Sequence, residues 1–169
     1  MKDQLHCLLC GKMLQPILIE ARMRQKCNDC GWIYYPQLKV TAGVMVEAEG
    51  RILLVQRGND PWKNHWYLPA GYVEDDESPR HTAEREAFEE TGYEIKAGKL
   101  LDVLFYQDDP RGNGILIIYE GKIIKGEIIR TTEAIDIKYF THDEAQKLQL
   151  AGGSHDVAIS RWAKNEIRV

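Results

Sequence analysis

The stretch from Gly71 to Tyr93 constrains this chain more than any other part of its 169 residues. Ser78 offers the side-chain oxygen of a helix N-cap, and Pro79 follows at the first helical position, where a missing N–H leaves no hydrogen bond unmade. Gly92 suits the left-handed residue that closes a helix. These signals predict a helix from about Pro79 to Thr91. Within it Glu86, Glu89 and Glu90 fall at i, i+3 and i+4, on one arc of about 100°. Ala83, Ala87 and Phe88 lie on the adjoining arc and are expected to pack on a sheet. Three like charges on one face repel one another, each pair by a few tenths of a kcal/mol. A solvated acidic face is one reading. The other is a hard divalent cation among the oxygens, since Mg²⁺ prefers a few carboxylates together with phosphate oxygens and waters.

Around this helix the pattern is that of an α/β domain. Val40 to Glu47 is β-like, a turn follows at Glu49-Gly50, and Ile52 to Val55 reads as a buried strand. Gly58 to His65 is polar and turn-rich. Leu100 to Tyr106, Ile115 to Tyr119 and Ile135 to Phe140 read as further strands, with Gly121 and Gly126 expected to punctuate a hairpin. Thr141 to Glu144 has the form of a capping box and predicts a short helix. A last helix is expected after Ser154, with Ala158 and Trp162 on one face. The formal net charge of −4 points to neither nucleic acid nor a membrane surface. An acidic protein that handles a polyanion needs cations between the two. No signal peptide and no membrane-length apolar run is visible, so a cytoplasmic location is expected.

All four cysteines precede position 31, as Cys7-x-x-Cys10 and Cys27-x-x-Cys30, with Gly11 and Gly31 directly after each pair. Two such knuckles supply four thiolates, enough for a closed tetrahedral Zn²⁺ site. In a reducing compartment this doubled spacing favours metal over disulfides. The texture changes after Tyr34-Tyr35-Pro36. Residues 1–38 are therefore read as a four-Cys zinc ribbon and residues 39–169 as the catalytic domain.

The spacing of Gly71, five residues, Glu77, seven residues, Arg85-Glu86-Ala87-x-Glu89-Glu90-x-Gly92-Tyr93 resembles the signature of the Nudix hydrolases at every defined position. Seven fixed residues at average usage would match by chance on the order of once in a million chains of this length, which outweighs the solvated-face reading. Trp66 to Gly71 and Leu53 to Arg57 are similar to the family's usual approach to that motif. The resemblance implies an α/β/α sandwich around a mixed sheet. It implies Glu86 and Glu90 as ligands of catalytic Mg²⁺ or Mn²⁺, Glu89 sharing the metal or orienting water, and the main-chain carbonyl of Ala70 joining them. Arg85 and Glu77 look like the pair that fastens loop to helix. The activity implied is metal-dependent cleavage of the diphosphate in a nucleoside diphosphate linked to another group.

The family often places its general base on a later loop. Glu133 is the first candidate here, ahead of Glu127 and Glu120. Arg57 and Trp62 are candidates for substrate binding. Trp66 is expected in the core, whereas the neighbours of Trp62 suggest exposure, either to stack a base or as a surface or dimer contact. The cysteine ribbon before Tyr34-Tyr35-Pro36 resembles the zinc-ribbon subgroup, which includes NADH pyrophosphatases and ADP-ribose pyrophosphatase-like proteins. The Ser-Gln-Pro-Trp-Pro-Phe-Pro element of the NADH enzymes is replaced here by Leu104 to Pro110, which leaves ADP-ribose, FAD or another dinucleotide in view. Two other classes remain. A nucleic-acid-binding ribbon is disfavoured by five basic against three acidic residues in the first 38, a net +2. A regulator that binds ADP-ribose without cutting it is disfavoured by the intact Arg-Glu and Glu-Glu pairs. A homodimer is left open.

Overall fold

The computed structural model describes residues 5–169, which form two compact units, one up to Gln37 and one from Leu38. In the first unit, strands β1 (Gln15–Ile19), β2 (Arg22–Lys26) and β3 (Ile33–Tyr34) make an antiparallel sheet in the order β1-β2-β3. Glu20 and Ala21 both adopt left-handed φ values, 48° and 62°, and so form the two-residue turn that matches strand twist. Each knuckle closes on a backbone bond, Gly11 N–H to Cys7 at 2.9 Å and Gly31 N–H to Cys27 at 3.0 Å. Cys7, Leu14 and Cys27 are the buried centre, with Trp32 and Tyr34 packed against them. So small a core buries little apolar surface, and units of this size usually need a metal or disulfide as well.

The second unit continues with β4 (Lys39–Met45), β5 (Glu47–Ala48), β6 (Arg51–Arg57), β7 (Trp66–Tyr67), β8 (Ala70–Tyr72) and α1 (Pro79–Thr91). Then come β9 (Tyr93–Tyr106), β10 (Gly114–Gly126), β11 (Ala134–Thr141), α2 (His142–Ala145) and α3 (Gly153–Ala163). One sheet has the order β8-β4-β10-β9 and is mixed, because β4 and β10 run parallel, with Val40 opposite Ile115 and Val44 opposite Tyr119. The other has the order β11-β6-β5, with β7 also on β6.

Ile52 to Val55 are fully buried, because β6 is covered on both faces. On one side Ile52 and Leu54 join Met45, Leu116, Ile118 and Trp162 of α3; on the other Leu53 and Val55 join Ala42, Val44 and the α1 residues Ala83 and Ala87. Helices thus cover both sides, as the resemblance implied. Each fully buried aliphatic side chain of this kind contributes about 1.5–3 kcal/mol.

Two local expectations change. Phe88 is 55% exposed, so the packing arc of α1 is made by Thr82, Ala83, Ala87 and Thr91 instead. Gly121 and Gly126 do not bound a hairpin. β10 runs through Gly121 and pairs with β9 along its length, with register shifts near Tyr119 and Ile123. A Cβ on Gly121 would lie 2.7 Å from Val46 and 3.0 Å from Val44, so this glycine marks a bulge pressed onto the core. Thr141 and Glu144 form the expected capping box on α2. Among the described residues no helix is long and apolar enough to cross a membrane.

Candidate active site and metal centre

The helix that carries the acidic triplet is bounded as its sequence dictates. Ser78 accepts the His81 N–H at 3.3 Å, Pro79 opens the first turn, and Gly92 closes the last at φ 80° with its N–H on Phe88. Fixed at both ends and seated on β4 through Ala83 and Ala87, α1 turns Glu86 and Glu90 toward a cleft of about 270 Å³. Glu86 is held by Arg85 at 2.8 Å. It lies so close to the β8 backbone that a Cβ on Gly71 would sit 2.0 Å from its carboxyl carbon. Only glycine allows that approach, which explains the residue physically. Glu90 accepts the Tyr67 hydroxyl at 2.6 Å and the Ala70 N–H at 3.0 Å.

Burial pushes the Glu90 carboxyl up to about 8, against the pull of the Tyr67 and Ala70 donors. Burial likewise raises Glu86, and the neighbouring Glu89 adds to this against Arg85. Two carboxylates whose charge is disfavoured side by side are a poor arrangement for an empty protein. A divalent cation inverts that balance, because it is the largest local charge wherever it binds.

Arg85 is the joint of the motif. Its Nη2 and Nε meet Glu77 at 2.6 and 3.2 Å, Nη1 reaches Glu86 and, at 3.3 Å, Glu89, and Nη2 also donates to the Tyr72 carbonyl. The paired bonds from Arg85 hold Glu77 down at about 2. Glu89, with a side chain 56% exposed, does not line the cleft. Among the described residues its close partner is Arg85.

The remaining candidates divide clearly. Arg57, Trp62, Ala70 and Glu133 all line the cleft, whereas Glu120 and Glu127 do not. Arg57 donates Nε–H to Pro61 at 2.8 Å, and its guanidinium stands 5.9 Å from the Tyr67 ring centre. Glu133 is exposed at the mouth, and its carbonyl accepts the Gly58 N–H at 2.8 Å, so the loop is tied to the end of β6. Trp62 differs from the expectation of exposure. It is half-buried against the core, at φ 71°, because a tight turn closes from His65 N–H to its carbonyl at 3.0 Å. Trp66 is buried as expected, edge-on to Phe140.

Sequence reasoning passed over Tyr67, Tyr72, Asp108, Arg111 and His155, all of which line the cleft. Tyr67 was findable. Strand alternation puts it opposite Trp66, so a core Trp66 turns Tyr67 to the other side of β7. His155 carries no local signal. It is brought in by α3, and its imidazole is pulled down to about 4 by burial and by Arg57.

In the first unit the four cysteine sulfurs lie within 4.8 Å of one another. Cys7 to Cys30 is 3.5 Å, Cys10 to Cys27 is 3.4 Å and Cys10 to Cys30 is 3.7 Å. Four thiolates about 2.3 Å from a tetrahedral zinc stand roughly 3.8 Å apart, so the cluster has the size of such a site. The Cys30 backbone N–H leads the effects that draw the Cys27 thiol down to about 7, while hydrogen bonds among the crowded sulfurs push the Cys10 and Cys30 thiols up.

The model of the NUDIX domain family matches residues 37–162, and the chain belongs to that family. An ADP-ribose pyrophosphatase of Methanocaldococcus jannaschii is 33% identical over 141 residues, covering 83% of this chain and 80% of its own. A NAD-capped RNA hydrolase, NudC, of Salmonella agona is 29% identical over 147 residues, covering 86% of this chain but 55% of its own, so the chain spans only about half of that relative. Among solved structures, a NUDIX hydrolase from Nitrosomonas europaea superposes with a TM-score of 0.80 at 24% identity, over 95% of this chain and 90% of its own. The NUDIX domain of Shewanella oneidensis NrtR, complexed with ADP ribose, superposes at 0.64 with 22% identity, over 78% and 90%.

Proposed function

We propose that the protein is a metal-dependent pyrophosphohydrolase that cuts the diphosphate of a nucleoside diphosphate joined to a second group, with ADP-ribose as the first candidate substrate. The observation that carries this reading is the placement of Glu86 and Glu90 together in one cleft with their charged forms disfavoured. Glu86, Glu90 and the carbonyl of Ala70 would hold Mg²⁺ or Mn²⁺, and Glu89 would act from the rim. The metal would neutralise the diphosphate and so make its phosphorus open to water. Glu133 is assigned the base that takes the proton from that water, since it stands at the mouth of the same cleft. Arg85 fixes Glu86 and, through Glu77, the loop before α1. Arg57 and Trp62 would bind the nucleotide end. The preference for ADP-ribose draws on the relative named ADP-ribose pyrophosphatase and on the fold neighbour holding ADP ribose.

In the first unit, the four cysteines would bind one structural Zn²⁺, closed to substrate because all four positions come from protein. A second reading, an ADP-ribose-responsive regulator, has a relative behind it: the repressor NtrR of Acinetobacter baylyi, 28% identical over 138 residues. The retained carboxylates weigh against it here. Screening ADP-ribose, NADH, FAD, diadenosine polyphosphates and nucleoside triphosphates with Mg²⁺ or Mn²⁺ tests both. Hydrolysis of ADP-ribose that falls at least tenfold, about 1.4 kcal/mol of barrier, in Glu90→Gln and in Glu86→Gln is the expected result. Tight binding with no turnover of any of these compounds would instead establish the regulator.

A further inference from the structure

His155 lines the cleft, yet the reading above gives it no part. Its two ring nitrogens have different surroundings. Nδ1 lies 3.3 Å from the backbone nitrogen of Leu68 and accepts that N–H. An accepting nitrogen carries no proton, so the neutral ring keeps its hydrogen on Nε2. Leu68 is fully buried, and its N–H would lose its acceptor if the ring turned over. The ring also stands edge-on to Tyr67, with centroids 5.8 Å apart and planes at 79°. The tautomer and the ring orientation are therefore set by the protein before any ligand arrives.

Nε2 has no protein partner. Among the described residues the one buried side-chain polar atom without a partner is the Tyr72 hydroxyl, so Nε2 of His155 opens to the cleft. Tyr67, the neighbour of this ring, is the residue that donates to Glu90, and the Arg57 guanidinium stands near the same tyrosine. Tyr67 thus touches both this ring and Glu90, and all of these residues line the cleft in which the diphosphate is proposed to lie.

We propose that His155 is a substrate-binding residue that donates its Nε2–H to a phosphate oxygen of the diphosphate. The proposal rests on the diphosphate reading of this cleft but not on turnover. A donor fixed on a rigid helix contributes more than a mobile one, because less freedom is lost when the ligand binds.

The test is equilibrium binding of α,β-methylene-ADP, which cannot be cut at that bond, measured calorimetrically with Mg²⁺ present. In His155→Asn the amide oxygen can still accept the Leu68 N–H, but nothing replaces Nε2–H. His155→Gln carries an N–H at the end of a longer side chain. Affinity is expected to fall roughly tenfold to a hundredfold in His155→Asn, about 1.4 to 2.8 kcal/mol, and to return to within about threefold of wild type in His155→Gln. The melting temperature of His155→Asn should stay close to wild type. Binding by His155→Asn within about twofold of wild type would overturn the proposal. So would equal loss in both variants together with a large drop in melting temperature, which would assign His155 to supporting Leu68 alone. Wild-type protein that binds this compound but cuts nothing would remove the hydrolase reading and leave His155 as a ligand contact; wild-type protein that does not bind it would remove both.

Discussion

Replacing Arg85 by lysine keeps the charge and removes the fork. Arg85 makes two bonds to Glu77, at 2.6 and 3.2 Å, and others to Glu86, Glu89 and the Tyr72 carbonyl. A lysine ammonium is a point charge and cannot span this set. Glu77, whose side chain is 8% exposed, would be left short of partners. Its carboxyl is held at about 2 in the fold, chiefly by Arg85, against about 4.3 in an unfolded chain. A depressed carboxylate contributes stability that is fully present above its unfolded value and lost as pH falls through its folded value. The window here runs from about 4.3 down to about 2. The full shift would correspond to ~3 kcal/mol, but Arg85 is 29% exposed, and solvent screening reduces this to on the order of 1–2 kcal/mol. For a domain of this size the expected loss in melting temperature is roughly 4–8 °C at pH 7. The assay is thermal unfolding of wild type and Arg85→Lys without added divalent metal from pH 7 down to about pH 3.5, with the gap between them narrowing at the acid end. A variant that melts with wild type at pH 7, or a gap that widens on acidification, would refute the reasoning.

Three other perturbations follow from the same geometry. Tyr67→Phe removes the hydroxyl that lowers the Glu90 carboxyl, so the acid limb of the pH–rate profile at subsaturating Mg²⁺ should move to higher pH; an unmoved limb would show that Tyr67 does not set the state of Glu90. Trp62→Ala should raise KM for ADP-ribose roughly tenfold to a hundredfold with metal dependence unchanged, on the scale of base–aromatic stacking, and an unchanged KM across adenine-containing substrates would rule stacking out. Elemental analysis of protein purified without added metal should find about one zinc per chain, with a strong chelator unfolding the first unit; a metal-free first unit that stays folded with free thiols would sink the zinc assignment.

What could be read from the sequence was whatever depends on neighbours along the chain. The ends of α1, its acidic triplet and the capping box on α2 are local arrangements, and local sequence states them. The Glu77–Arg85 pair is nearly so, since the seven residues between them span only the helix cap and less than two turns of α1. The failures share a cause as well. Local sequence reads Gly121 as a turn because glycine often makes one, but here the missing Cβ is needed against Val44 and Val46, residues more than seventy positions earlier. The polar neighbours of Trp62 imply exposure, whereas the turn it opens packs it half-buried against the core. His155 and Arg111 reach the cleft only because α3 and the segment after β9 are folded over β7 and β8. The sequence thus shows the acidic side of the site, which needs one helix to assemble. It hides the side that would hold the substrate, which needs three separate segments, and substrate choice is the property that remains hardest to read from such a chain. The Tyr67 pairing joins the two halves: its hydroxyl serves Glu90 while its ring packs against His155 and lies near Arg57, so one side chain anchors both a carboxylate proposed to hold the metal and the residues proposed to hold the substrate.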